Sequence, residues 1–237
     1  MDKIEMVVFD MAGTTVKDKN EVEKCFVEAA KQTQLPYVRE DIIAMMGWSK
    51  KKVFETLWNK ALPNEPSETI QSKVSESYEM FKQILEDHYR KAEVSPSENC
   101  LETFKALREK GIKIALTTGF YREVTNIILN RLGWDKNLDE QYVSKGESVI
   151  DISIASDEVE AGRPEPFMIQ KAMKVLNVND ASKVINIGDT PSDILSGNNA
   201  GCKYSFGVCN GTHTKEQLAA LPNDGLLENI GEIKNFI

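Results

Sequence analysis

Soft metal ligands are scarce in this 237-residue chain: two histidines, four cysteines, and no C-x-x-C pair. That argues against a structural zinc site, and Cys25, Cys100, Cys202 and Cys209 read as free thiols in a reducing cytoplasm. Long apolar runs are missing too. Nothing approaches the roughly 18 apolar residues of a membrane span. The apolar stretch of the opening MDKIEMVVFD is too short for a cleavable signal and leads straight into Asp10. Cations are outnumbered, 29 Lys and Arg against 37 Asp and Glu, for a net charge of −8. This argues against nucleic acid or an anionic membrane as partner, while a locally basic site remains open to a small anionic substrate. A P-loop is excluded by the lack of G-x-x-x-x-G-K-[ST]. There is no internal repeat and no low-complexity tract.

Four short apolar, β-rich runs are present: IEMVVF (4–9), IKIALTT (112–118), VIDISIAS (149–156) and KVINIGD (183–189), with a weaker fifth, KYSFGV (203–208). Helical patterns lie between the later ones, carried by Val124, Ile127, Ile128 and Leu132, then Phe167, Ile169, Met173 and Leu176, then Ile194, Leu195 and Ala200. Near-continuous apolar strands alternating with helices predict an α/β fold, a doubly wound parallel sheet covered on both faces. About a hundred residues separate the first two strands, far more than one crossover needs. Their periodicity is helical: Val22, Phe26, Ala29 and Ala30; Val53, Leu57 and Ala61 after the helix-capping Ser49; and a third pattern from Ser67 to Tyr89. The reading is a core of residues 1–16 and 93–237 with a helical cap domain, 17–92, inserted. A helix over 98–110, capped by Ser97 and ended by Gly111, returns the chain to the core.

Ligands of open α/β sheets sit at the carboxyl ends of the strands. The residues expected there are Asp10 after the first strand, Thr118 and Gly119 after the second, Arg163 downstream of the third, and Asp189 and Asp193 after the fourth. Paired carboxylates at neighbouring tips suit Mg2+, a hard cation that takes oxygen ligands. The hydroxyls of Thr14 and Thr118, the glycine N–H groups and Arg163 suit the oxygens of a phosphoryl group. Each element has an ordinary structural use as a cap or turn, but their order along successive strand ends points to phosphoryl transfer through an aspartyl intermediate.

The series FDMAGTTV, ALTTG, AGRPEPFMI, INIGDTPSDI resembles the haloacid dehalogenase (HAD) superfamily from one end of the core to the other. The resemblance implies a Rossmann-like HAD core with its cap inserted after the first motif. It implies Asp10 as nucleophile, Thr118 on the transferred group, Arg163 neutralising it, and Asp189 and Asp193 serving magnesium, with the Ala12 carbonyl as a further metal ligand. Family phosphatases carry an acid two residues after the nucleophile to protonate the leaving oxygen, where this chain has Ala12. With AGTT behind it and Arg163 where Lys is commoner, the pattern is similar to the phosphonatase branch. Those enzymes split a carbon–phosphorus bond after a cap lysine forms a Schiff base with the substrate aldehyde. The cap stretch MGWSK sets Met46, Gly47 and Lys50 on the matching positions. A carbon leaving group needs an electron sink rather than an acid, which accounts for the alanine. The chain departs from that branch at Val53, Phe120 and Asn20, where a histidine, a tyrosine and a cysteine are expected.

Lys50 is also notable on its own. It follows Ser49 at a helix start, where the dipole disfavours a cation, and Lys51 and Lys52 repel it. A lowered pKa there yields the neutral amine that carbonyl chemistry requires; the competing use is a solvated, phosphate-attracting KKK face. The expected function is a Mg2+-dependent hydrolase acting on a small phosphorylated or phosphonate substrate. The alternatives are a phosphomonoesterase of the phosphoglycolate phosphatase kind and a receiver-like module that takes phosphate without turnover. A first-strand Asp10 under a cap argues against the latter. The apolar helix with Phe26 packs either on the cap or on a second subunit, which would make a homodimer.

Overall fold

The computed structural model describes residues 3–237; residues 1 and 2, part of the expected core segment, lie outside them. Six parallel strands form one sheet in the order β3-β2-β1-β4-β5-β6. They are β1 (Met6–Asp10), β2 (Lys113–Thr118), β3 (Ile152–Ala155), β4 (Val184–Gly188), β5 (Tyr204–Val208) and β6 (Leu226–Leu227). β1 lies between β2 and β4, with Met6 opposite Lys113 on one side and Val184 on the other. All five residues of β1 and of β4 are buried, the pattern of strands covered on both faces. The first strand is shifted from 4–9, so Asp10 is its last residue. The stretch 149–151 falls outside β3, where Asp151 instead accepts from the Ile114 N–H at 2.7 Å. β6 has only two residues, too few to show any alternation in the sequence.

Between β1 and β2 stand four helices: α1 (Glu21–Gln32), α2 (Arg39–Ala44), α3 (Lys50–Ala61) and α4 (Ser67–Lys91). The short α2 has no counterpart in the sequence reading. Phe26 of α1 stacks on Phe81 of α4 with centroids 4.2 Å apart and meets Phe54 of α3 at 5.2 Å, so the helix with Phe26 packs inside this bundle. Ser49 occupies the N-cap of α3 without a side-chain capping bond. The return helix, α5 (Cys100–Glu109), begins later than expected. Asn99, at φ +59°, turns the chain into it, while the Ser97 hydroxyl donates to the Thr14 carbonyl at 2.5 Å. The core continues with α6 (Arg122–Leu132), α7 (Phe167–Val175), α8 (Pro191–Ala200) and α9 (Lys215–Ala219). No helix among the described residues is long and apolar enough to cross a membrane, and all four cysteines are free.

Candidate active site

Asp10 stands at the tip of the central strand with only 5 % of its surface exposed. Its partner comes from 153 residues downstream: Arg163 Nη1 lies 2.5 Å from Asp10 Oδ1 and 2.7 Å from Asp193 Oδ1. The other guanidinium nitrogen donates to the carbonyl (2.9 Å) and hydroxyl (2.6 Å) of Thr117 at the end of β2. Burial pushes the Asp10 carboxyl up to about 8; Arg163 opposes that shift, and the charges of Asp193 and Asp189 reinforce it. Arg163, expected to neutralise a phosphoryl group, is therefore already paired with two carboxylates, which hold its pKa up against burial.

Asp193 divides its oxygens between two tasks. Oδ2 accepts from the Thr190 N–H (3.0 Å) and hydroxyl (2.5 Å), closing the N-terminus of α8 as a capping box. Oδ1 is fully buried without a hydrogen bond of good geometry, although it lies against Arg163. Asp189 is wholly buried and accepts from the Thr14 hydroxyl (3.2 Å) and the Thr212 N–H (2.7 Å). Thr14, read from the sequence as a phosphate ligand, thus orients Asp189 in this structure. Burial, then the charge of Asp193, raises the Asp189 carboxyl to about 7. A Cβ on Gly13, at φ +89°, or on Gly211 would collide with the Asp189 carboxylate, so both turns must stay bare for it to fit.

Asp10, Asp189 and Asp193 each bring a carboxylate oxygen within 4.8 Å of the others. Three buried acids of one sign against a single arginine leave negative charge in excess, and the donors are all oxygen. With Asp193 Oδ1 short of a hydrogen bond, the site suits a hard divalent cation.

Above these acids lies a cavity of about 30 Å³. It is lined by Asp10, Ala12, Met46, Gly47, Lys50, Thr118 and Gly119, all read from the sequence, and by Asp18 and Phe120. Four clefts of about 470, 560, 500 and 230 Å³ are larger, but none contains Asp10. The seam between cap and core is tight. A Cβ on Gly119 would lie 2.5 Å from the Gly47 carbonyl and 2.6 Å from that of Trp48. Ser192 donates to the Met46 carbonyl at 3.3 Å.

Lys50, the first residue of α3, is 5 % exposed. Its Nζ lies 5.1 Å from the centre of the Phe120 ring and 5.9 Å from that of Phe26. The site's ion pairs belong to Arg163, and none among the described residues includes Lys50. Burial brings its pKa down to about 8; Asp10 pulls it back up and Arg163 pushes it further down. The solvated KKK face describes Lys51 and Lys52, which are exposed, but not Lys50.

Asp18, Thr117 and Thr212 join the site without having been singled out in the sequence. Thr212 falls in the GTHT turn after β5, where the rule that strand-end turns carry ligands would have found it. Asp18 lies in VKDKN, where charge reads as a solvated linker.

Comparison with known proteins agrees with this fold. A model of the haloacid dehalogenase-like hydrolases matches residues 7–206. A phosphonoacetaldehyde hydrolase from Bacillus thuringiensis (strain Al Hakam) is 31% identical, over 98% of this chain and 88% of that protein. Two solved structures share the fold. One is a predicted phosphoglycolate phosphatase from Haemophilus somnus (TM-score 0.75, 18% identity, 100% of this chain and 99% of that one). The other is a phosphonoacetaldehyde hydrolase-like protein from Oleispira antarctica (TM-score 0.73, 19% identity, 98% and 91%). The acids at the strand tips, the helices inserted over them and the match along most of the chain lead to one assignment: the chain belongs to the haloacid dehalogenase-like hydrolases.

Proposed function

We propose that this hydrolase cleaves the carbon–phosphorus bond of a small phosphonate that carries an aldehyde, using Lys50 as an imine-forming amine and Asp10 as the phosphoryl acceptor. The observation that carries this reading is the placement of Lys50. A lysine buried between two phenyl rings, with no acid paired to it, shares a cavity with a strand-tip aspartate.

The chemistry follows from what each group is able to do. Lys50 is neutral in a substantial fraction of molecules near pH 8, so its lone pair is available to a carbonyl carbon. The resulting iminium draws electrons from the adjacent carbon and lets it leave phosphorus without an acid at position 12. Asp10, steered by Arg163, supplies the oxygen that takes the phosphoryl group, and water then hydrolyses the aspartyl phosphate. Thr118 and the N–H of Gly119 stand at the neighbouring strand tip to receive phosphoryl oxygens. Mg2+, held by Asp10, Asp189, Asp193 and the Ala12 carbonyl, would neutralise charge on the transferring group. A cavity of about 30 Å³ admits little water to a step in which water would hydrolyse the imine early.

Borohydride added during turnover of phosphonoacetaldehyde tests this. The expected result is inactivation, with substrate-derived mass on the peptide containing Lys50. Lys50→Arg should abolish that adduct and P–C cleavage while leaving binding of inorganic phosphate nearly unchanged, and a chelator should stop turnover reversibly. Steady hydrolysis of phosphate esters with no Lys50 adduct would replace this reading with a phosphomonoesterase.

A further inference from the structure

Imine formation is a proton-transfer problem as well as a nucleophilic one. The attacking nitrogen must lose a proton, and the carbonyl oxygen must gain two before it leaves as water. Apart from Asp10 at the acid cluster and Lys50 itself, Asp18 is the one side chain lining the cavity that titrates as an acid or base near neutral pH among the described residues. The other polar side chains there are the hydroxyls of Thr118, Thr190 and Thr212. Residue 12 is an alanine, and Val53, one turn along α3 from Lys50, is apolar.

We propose that Asp18 is the acid–base group that serves Lys50, passing protons across the cavity that the two residues share. The inference rests on the imine reading given above. The cavity, about 30 Å³, is of the size that holds a single water, which is enough to bridge the carboxyl and the amine. Asp18 is fixed for such a role, because its Oδ1 accepts from the Glu21 N–H at 2.8 Å at the entrance to α1.

The groups around Asp18 set its proton affinity. Burial comes first, then the hydrogen bond to the Glu21 side chain, and together they raise its carboxyl to about 7. Burial pushes the Glu21 carboxyl up, but its bonds to Asp18 and the Lys19 N–H and the charge of Lys24 together hold it low. Lys50 and Asp10 share the cavity with Asp18, and the Cys25 thiol and Tyr89 phenol both feel its charge. Asp18 is therefore a carboxylic acid for a useful part of the time at the pH where Lys50 is an amine.

The steps balance as follows. The Lys50 lone pair adds to the carbonyl carbon, giving an alkoxide and a protonated nitrogen. One proton passes from that nitrogen to the oxygen by way of the bridge, which leaves a carbinolamine and an unchanged Asp18. Asp18 then gives its own proton to the hydroxyl, and the C–O bond breaks. Water departs, the nitrogen lone pair closes the C=N bond, and the Asp18 carboxylate faces the iminium. P–C cleavage leaves an enamine; its terminal carbon takes a proton from water to regenerate an iminium, and the same path in reverse then returns the lysine and the acid.

Two opposing titrations follow. Formation of the imine needs Lys50 neutral, which improves as pH rises through about 8, and Asp18 protonated, which is lost as pH rises through about 7. The rate of adduct formation with phosphonoacetaldehyde and cyanoborohydride should describe a bell between those flanks. Asp18→Asn should lower its height about a hundredfold and abolish the fall on the alkaline side, because the amide does not titrate. Asp18→Glu should restore a bell, and thermal melts of both variants establish that they fold. If Asp18→Asn traps the aldehyde at the wild-type rate and with the wild-type pH shape, Asp18 has no part in the proton transfer. If the wild type itself forms no Lys50 adduct, the imine reading fails first, and this inference falls with it.

Discussion

The floor and the roof of the cavity both bury charge, by different physics. On the floor, Arg163 sits between Asp10 and Asp193 at 2.5 and 2.7 Å, and Asp189 is held by Thr14 and Thr212. Each side chain has a partner or a donor and keeps its position, while burial still raises the Asp10 and Asp189 carboxyls to about 8 and 7, so the acids wait for a second cation. On the roof, Lys50 has two aromatic rings and no acid. A cation–π contact recovers a small part of the lost hydration, of order 1 kcal/mol, and the rest of the cost appears as a pKa of about 8. Burial among partners fixes the acids in place for coordination and transfer, with their proton affinity raised until a cation arrives. Burial without an ion-pair partner leaves the lysine a free base. The cap and the core thus supply complementary reactants to the same small space.

The largest test of this contrast removes the floor's nucleophile. Asp10→Asn keeps the shape but gives a poor nucleophile and takes a charge from the cluster, so turnover should fall by about three orders of magnitude or more. An assay on the best substrate checks it, and retention of more than about a tenth of wild-type rate would sink the aspartyl mechanism.

Gly119→Ala separates the floor from the roof. Its Cβ would meet the Gly47 and Trp48 carbonyls at 2.5 and 2.6 Å, and backbone on both sides leaves no flexible tip to move aside. The cap must ride up, carrying Lys50 away from Asp10, and kcat/KM should drop by about a hundredfold, the scale of an ångström's misplacement. Faster proteolysis near residue 17 or 92 would show the cap held open; wild-type kinetics would show that the seam need not close.

The smallest expected effect, a shift in stability, sharpens the roof's side of the comparison. Lys50→Met removes a charge whose burial is uncompensated and should raise Tm by several degrees while ending adduct formation. The sign follows from the depressed pKa: the penalty is complete below pH 8 and fades as pH rises towards 10.5, where the unfolded lysine also becomes neutral. The gain in Tm, followed by calorimetry, should therefore shrink over that range. A gain that does not change with pH would mean that packing, not charge, explains it.

Much of this was legible in the sequence, and the parts that were not have physical causes. Asp10, Thr118 and Asp189 announce themselves because an apolar run ending in a polar residue marks a strand tip, and the sheet gathers strand tips. Lys50 was legible because a helix start is hostile to a cation. Asp18 and Thr117 were not, since their roles depend on which way the chain turns and on a partner that approaches from 46 residues away in the case of Thr117. Ser97 and Ser49 were read as caps from residue type alone. The structure shows Ser97 bonded to the Thr14 carbonyl and Ser49 without a capping bond, because the competing acceptors depend on tertiary placement.

The place of β1 in the middle of the sheet has a consequence for how the protein is made. Thr14 meets Asp189 across 175 residues. During synthesis at roughly 5 to 20 residues per second, about 9 to 35 seconds pass between the two leaving the ribosome. Throughout that interval the wholly apolar strand before Asp10 has one neighbour at most, and its far edge stays open until β4 arrives. The helices inserted after it, complete long before then, pack chiefly on one another, so that edge waits for β4 rather than for the cap.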